Sequence, residues 1–211
     1  MKIICMGDSL TYGAGLVDLS QRWSDLVANK TGHTIINMGI NGDTTAGMLV
    51  RCHQDVFPQK PDLMIIMGGT NDLCFTWEYR QATSNLMTII LHARAHDIPV
   101  LVGIPTPIDP EVLPVREWNN DRDNQYIAAQ CEKYANWIRR YCHSSNIPIV
   151  DFRKAFFSSN GTLLTHYFSD GLHPNSLGHQ AMAEVLCQTL QTLYNGNLVN
   201  NTGNTNLTNG T

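Results

Sequence analysis

The chain has 211 residues, 43% of them hydrophobic and 15% charged, with 14 Lys and Arg against 18 Asp and Glu and a net charge of −4. That length suits one α/β domain, and the composition excludes wholesale disorder and a coiled coil. No run of like charge occurs, which speaks against nucleic acid as a partner and against a polybasic membrane anchor.

The first residues carry one Lys and a short apolar run before Gly7-Asp8-Ser9, too few for the apolar core of a signal peptide, so a cytoplasmic protein is expected. No apolar stretch reaches the ~18 to 20 residues of a membrane helix, and no stable membrane anchor is expected. Short β-branched runs then alternate with amphipathic stretches, the pattern of βαβ units. Strands are predicted at Lys2 to Met6, Thr34 to Met38, Leu63 to Met67, Val100 to Ile104 and Ile147 to Val150. Between and after them, apolar residues at three- and four-residue spacing predict helices near Gln21 to Lys30, Thr44 to Cys52, Trp77 to His96, Asn124 to Ser144 and Ser176 to Tyr194. Right-handed crossovers over a parallel sheet give a three-layer α/β/α sandwich.

Two stretches interrupt this rhythm. Pro105 to Asp123 holds Pro105, Pro107, Pro110, Pro114 and Trp118, and reads either as a binding loop or as a surface excursion that packs down. From Asn195 the chain is dominated by Asn, Thr and Gly, which cannot build a core, so the expected organisation is a domain over 1–194 and a disordered or appended tail over 195–211. The six cysteines lack C-x-x-C or zinc spacing, and reduced, largely core thiols are expected. His92 and His96 lie four apart on a predicted helix but read as a solvated face, His33, His53, His143 and His166 have no partner spacing, and His179 is assigned to the surface of the last helix.

Chemistry-bearing residues gather after strands. Ser9 sits at a strand-to-helix turn, where it is either a nucleophile or an ordinary capping serine. Asp170-Gly171-Leu172-His173-Pro174 puts a carboxylate three residues before an imidazole, either a base with its orienting partner or a common turn. Asn37 to Gly42 and Gly68 to Asp72 each follow a strand; their glycines and asparagines are either tight βα turns or donors to an oxyanion. In a doubly wound sheet all of these residues fall on the ligand-binding edge, and together they supply nucleophile, base, orienting carboxylate and oxyanion donors for acyl transfer.

With these residues in view, the sequence resembles the SGNH hydrolases, or GDSL esterases/lipases, in four ordered blocks: Gly7-Asp8-Ser9-Leu10, Gly39-Ile40-Asn41-Gly42, Gly69-Thr70-Asn71-Asp72 and Asp170-Gly171-Leu172-His173-Pro174. The resemblance implies a flavodoxin-like five-stranded parallel sheet of order 2-1-3-4-5, with Ser9 as nucleophile, His173 as base and Asp170 as its partner. Ser9, Gly39 and Asn71 would be the oxyanion donors, and no cofactor or metal is implied. The expected activity is ester hydrolysis through an acyl-serine, on a small-molecule ester with a short acyl or acetyl group. Lysophospholipase or thioesterase action on longer chains, or a non-catalytic binding module, is the alternative, and a homo-oligomer is left open. Candidate pocket residues are Asp8, Tyr12, Asn41, Trp118 and Tyr167, with Met48 and Trp77 as further aromatic or apolar walls.

Overall fold

The protein is described by a computed structural model covering residues 1–114 and 121–202. Five strands, β1 (Lys2–Gly7), β2 (Thr34–Gly39), β3 (Leu63–Met67), β4 (Val100–Ile104) and β5 (Ile149–Asp151), form one parallel sheet in the order β2-β1-β3-β4-β5. The helices are α1 (Ser9–Tyr12), α2 (Trp23–Thr31), α3 (Thr45–Asp55), α4 (Thr70–Thr76), α5 (Arg80–Ala95), α6 (Asp121–Ser144) and α7 (Ser176–Thr202). The sheet order and the covering helices are those expected of the three-layer sandwich.

The strand sequences explain the layering. Side chains alternate across a sheet, so β1 sends Ile4 and Met6 to one face and Ile3 and Cys5 to the other. The first pair joins a core with Met64, Ile66 and Val102 under α3, α5 and α6; the second joins Ile65, Met67 and Leu101 under α2 and α7. Every residue of β3 and β4 is buried, as a parallel strand covered on both faces requires, whereas β2 at the edge is only half-buried.

Three boundaries depart from expectation. The stretch expected as one helix from Trp77 begins instead at Arg80, because Trp77 takes a left-handed conformation (φ 61) that ends α4. β5 starts at Ile149 rather than Ile147: Pro148 has no N–H for the ladder and contributes only its carbonyl, which accepts Val102 N–H at 3.0 Å. Helix α7 runs to Thr202, past the expected boundary at residue 194; residues 203–211 lie outside the described residues.

The order reverses between β1 and β3, so the crevice for a ligand opens beyond the carboxyl ends of these two strands. Among the described residues no helix is long and apolar enough to cross a membrane.

Candidate active site

The end of β1 builds the first part of the site. Asp8 leaves the strand in an extended conformation, and its Oδ1 accepts Leu10 N–H at 2.9 Å, capping the short helix that Ser9 begins. Trp23 fixes the same turn from the side, its indole N–H donating to Leu10 C=O at 3.0 Å. Asp8 was expected near substrate but is fully buried, and this burial raises its pKa to about 7 against the lowering effects of the Leu10 bond and of His173. It shapes the turn and does not line the cleft.

The second part comes from the far end of the chain. An antiparallel bridge of Phe168 with Pro174, and Ser169 N–H donating to His173 C=O at 2.8 Å, close the loop that carries the base. Within it Asp170 Oδ1 accepts the backbone N–H groups of Leu172 and His173, at 3.0 and 2.8 Å, while Oδ2 lies 2.8 Å from His173 Nδ1. The other ring nitrogen, Nε2, lies 3.1 Å from Ser9 Oγ. Burial pushes the Asp170 carboxyl up, but the His173 ring, its backbone amide and the Leu172 amide outweigh it and hold the group well below the usual carboxylate range. Asp170 is therefore an ionised partner that orients the ring.

The third part is the pair of loops after β2 and β3. Asn71, one residue into α4, donates through Nδ2 to Asp43 C=O at 2.9 Å; its amide has two N–H bonds, so one is left for a ligand. Its neighbour Asp72 ties the loops together, its carboxylate accepting both N–H (2.9 Å) and Oγ–H (2.5 Å) of Thr45 at the start of α3. Gly42, at φ 75, sits in a turn closed by Asp43 N–H on Ile40 C=O, and a positive φ at that position is what a type II turn demands. A cleft of about 330 Å³ is lined by Ser9, Asn41, Gly42, Asn71 and His173 on its polar side and by Ala14, Cys74, Phe75, Leu113 and Leu172 on its apolar side.

Gly39 is not among those residues. Its N–H donates to Asn37 Oδ1 at 2.9 Å, and a Cβ at this position would fall 2.1 Å from Tyr12 N. Gly39 lets β2 press against the backbone of α1, and the expectation that its amide faces an oxyanion is corrected: the glycine of this segment on the cleft is Gly42.

Of the expected pocket residues, Asn41 lines the cleft. Tyr12 is partly exposed outside it, Tyr167 packs edge-on against Phe156, and Met48 is fully buried in the core. Trp77 stands off the cleft with its ring 6.5 Å from Tyr126, and Trp118 lies outside the described residues. Of the proline-rich excursion, the described part packs down: Asp109 N–H donates to Gly171 C=O at 2.8 Å, and Leu113 closes one wall of the cleft.

Other groups settle away from this chemistry. His179, expected on the surface, is fully buried; its Nδ1 accepts Trp23 N–H at 3.2 Å, and burial, then Arg22 and His173, lower its pKa to about 4. His53, which had no partner by spacing, lies 3.0 Å from His92 across the exposed surface, and His96 stacks on Phe57. Among the described residues no group of three His, Cys, Asp or Glu is placed to hold a metal ion. A larger cavity of about 750 Å³ opens at the opposite edge of the sheet; its one thiol, Cys142, is fully buried, and that burial pushes its pKa up to about 11.

Comparison with known proteins places the family and the fold. A model of the GDSL-like lipase/acylhydrolase family matches residues 5–181. The chain is 28% identical to esterase TesA of Pseudomonas aeruginosa, over 90% of this chain and 88% of the relative. It is 22% identical to an acetylxylan esterase of Geobacillus stearothermophilus, over 90% and 93%. The crystal structure of a lipolytic G-D-S-L protein from Veillonella parvula superposes with a TM-score of 0.74 at 22% identity, over 89% of this chain and 97% of that one.

Proposed function

The chain belongs to the GDSL-like lipase/acylhydrolase family, and from that premise we propose that it is a serine esterase that cleaves carboxylic esters through an acyl-serine intermediate on Ser9. The observation that carries this reading is the His173 ring, spanning from Asp170 Oδ2 at 2.8 Å to Ser9 Oγ at 3.1 Å on the rim of a cleft.

The steps follow from those contacts. Asp170 accepts Nδ1–H and so leaves the Nε2 lone pair facing Ser9 Oγ. As Oγ attacks the ester carbonyl carbon, its proton passes to Nε2, and the carbonyl oxygen becomes an oxyanion. Ser9 opens α1, so its own N–H belongs to the first-turn amides that have no intrahelical acceptor. That amide, Gly42 N–H and the second Asn71 amide proton are the donors for the oxyanion. Collapse breaks the ester bond and the alcohol departs with the proton from Nε2. Water then attacks the acyl-serine carbonyl, giving its proton to the same nitrogen, and Ser9 is restored as the acid leaves.

A short acyl group suits the site. Its volume, about 330 Å³, lies at the low end of ligand pockets, about 300 to 1,000 Å³, and Leu113 and Leu172 stand across it. Likeness to an acetylxylan esterase supports an acetyl ester. The alternative, a longer acyl chain, is favoured by Phe75, which lines the cleft yet is 59% exposed and extends its apolar wall outward.

A p-nitrophenyl ester series from acetate to a long acyl chain, run on wild type and Ser9→Ala together, tests the reading. Turnover by the wild type alone, highest at acetate or butyrate, is expected. Equal rates for the two proteins would refute the role of Ser9, and a long-chain optimum would select the alternative substrate.

A further inference from the structure

Within this serine-esterase reading, we propose that Arg51 is a positioning residue that holds the nucleophile turn and the oxyanion loop at a fixed separation. Arg51 lies on α3, outside the family blocks, and its side chain is only 14% exposed. Through Nη2 it donates to the backbone carbonyls of Gly7 at 3.0 Å and Met38 at 2.8 Å; through Nε it donates to Asp43 Oδ2 at 2.7 Å. Nη1 reaches the half-exposed Asp55 at 3.4 Å, a looser contact.

Each partner leads directly to the chemistry. Gly7 ends β1 and precedes Asp8 and Ser9, so its carbonyl marks the base of the nucleophile turn. Met38 is the last residue but one of β2, and the chain from there leads to Asn41 and Gly42, which line the cleft, and to Asp43. Asp43 also accepts Asn71 Nδ2 on its backbone carbonyl, so the residue that binds Arg51 through its side chain supports Asn71 through its main chain. One guanidinium thus ties together the strand ends beneath Ser9 and Gly42 and, through Asp43, Asn71. Met38 lies on the edge strand β2, and Gly7 C=O accepts Ile40 N–H at 3.1 Å beside the Arg51 donor.

The planar fork of Arg suits this arrangement and the single ammonium of Lys does not, since two carbonyls and a carboxylate must be met from different directions by donors on one rigid group. The consequence is specific to turnover. Substrate reaches the apolar wall formed by Leu113, Leu172 and Phe75, which Arg51 does not touch, whereas the oxyanion forms between elements that it does. A shift of the donors by about 1 Å can cost about 10²-fold in rate.

The test is steady-state hydrolysis of p-nitrophenyl acetate by the full chain as wild type, Arg51→Ala, Arg51→Lys and Asp55→Asn, each checked for folding by circular dichroism. Arg51→Ala is expected to lower kcat by about 10- to 100-fold with KM within about twofold, and millimolar methylguanidinium to restore part of the loss. Arg51→Lys is expected to fall short of wild-type kcat, and Asp55→Asn to match it. A folded Arg51→Ala or Arg51→Lys with wild-type kcat overturns the proposal, as does a loss carried by KM. Loss of activity tracking loss of fold, without rescue, overturns it as well, and should Arg51→Ala not fold, Arg51→Lys decides alone. A wild type inactive on every ester of the p-nitrophenyl series, acetate to long chain, would instead overturn the serine-esterase reading, and this proposal with it.

Discussion

Asn37 Oδ1 accepts the backbone N–H of Gly39 at 2.9 Å, and this bond decides which glycine of the segment after β2 faces the cleft. With its amide engaged, Gly39 serves packing: it brings β2 against α1, and Asn37 completes the junction by donating to Thr11 C=O at 2.6 Å and to Ser24 Oγ at 2.8 Å. Gly42 has open space where a Cβ would project, and its need for glycine is the positive φ.

The two glycines should therefore respond differently to alanine. Gly39→Ala drives a methyl into the Tyr12 backbone and is expected to cost about 1–3 kcal/mol or more, with a loss of activity because α1 carries Ser9. Gly42→Ala keeps its N–H and pays only for an L residue at φ 75, about 1–2 kcal/mol, with kcat little changed. Denaturant midpoints and kcat for the two variants check this, and the reverse ranking would contradict the assignment.

Removing the Asn71 amide deprives the oxyanion of one donor. Asn71→Ala is expected to lower kcat by about 10²- to 10³-fold while KM changes little. Unchanged kcat in the folded variant would withdraw Asn71 from the site.

Asp170→Asn keeps the size of the side chain but loses the charge that fixes the ring. The amide can present an N–H to Nδ1, which selects the wrong tautomer and leaves Nε2 protonated before Ser9. Loss of kcat should approach about 10⁴-fold, and a loss below tenfold would show that the ring is oriented without Asp170.

Much of this was legible in the sequence because the chemistry sits on local signals. Five strands were legible as β-branched runs each followed by Gly, Pro or Asp, their order was what the resemblance to the family implied, and Asp170 and His173 lie close enough for one turn to pair them. What was not legible depends on contacts between distant residues. That Gly39 bonds Asn37 while Gly42 faces the cleft depends on how β2 packs against α1, and both are glycines after a strand. His179 read as surface because helical spacing alone does not say that Trp23 N–H, from 156 residues away, would bury it. Arg51 carried no signal beyond charge, and Asp72 stood in the third block with no role of its own; only the folded loops show what they hold.

His179 gives the stability a pH signature. Its folded pKa of about 4 lies below the ordinary 6.5, so the unfolded chain binds the extra proton between those values. Its contribution is complete above pH 6.5 and is lost as pH falls toward 4, up to about 3 kcal/mol. His179→Gln should be less stable than wild type at pH 7, with the gap narrowing toward pH 4. A pH-independent gap in urea denaturation would mean that the imidazole is not held neutral.

The most direct test of the central claim is to treat the folded protein with a fluorophosphonate and map the adduct by mass spectrometry. A single adduct on the peptide containing Ser9, absent in Ser9→Ala and strongly slowed in His173→Ala, is the result expected of a serine nucleophile activated by His173. An unlabelled wild type, or a label on another residue, would contradict it.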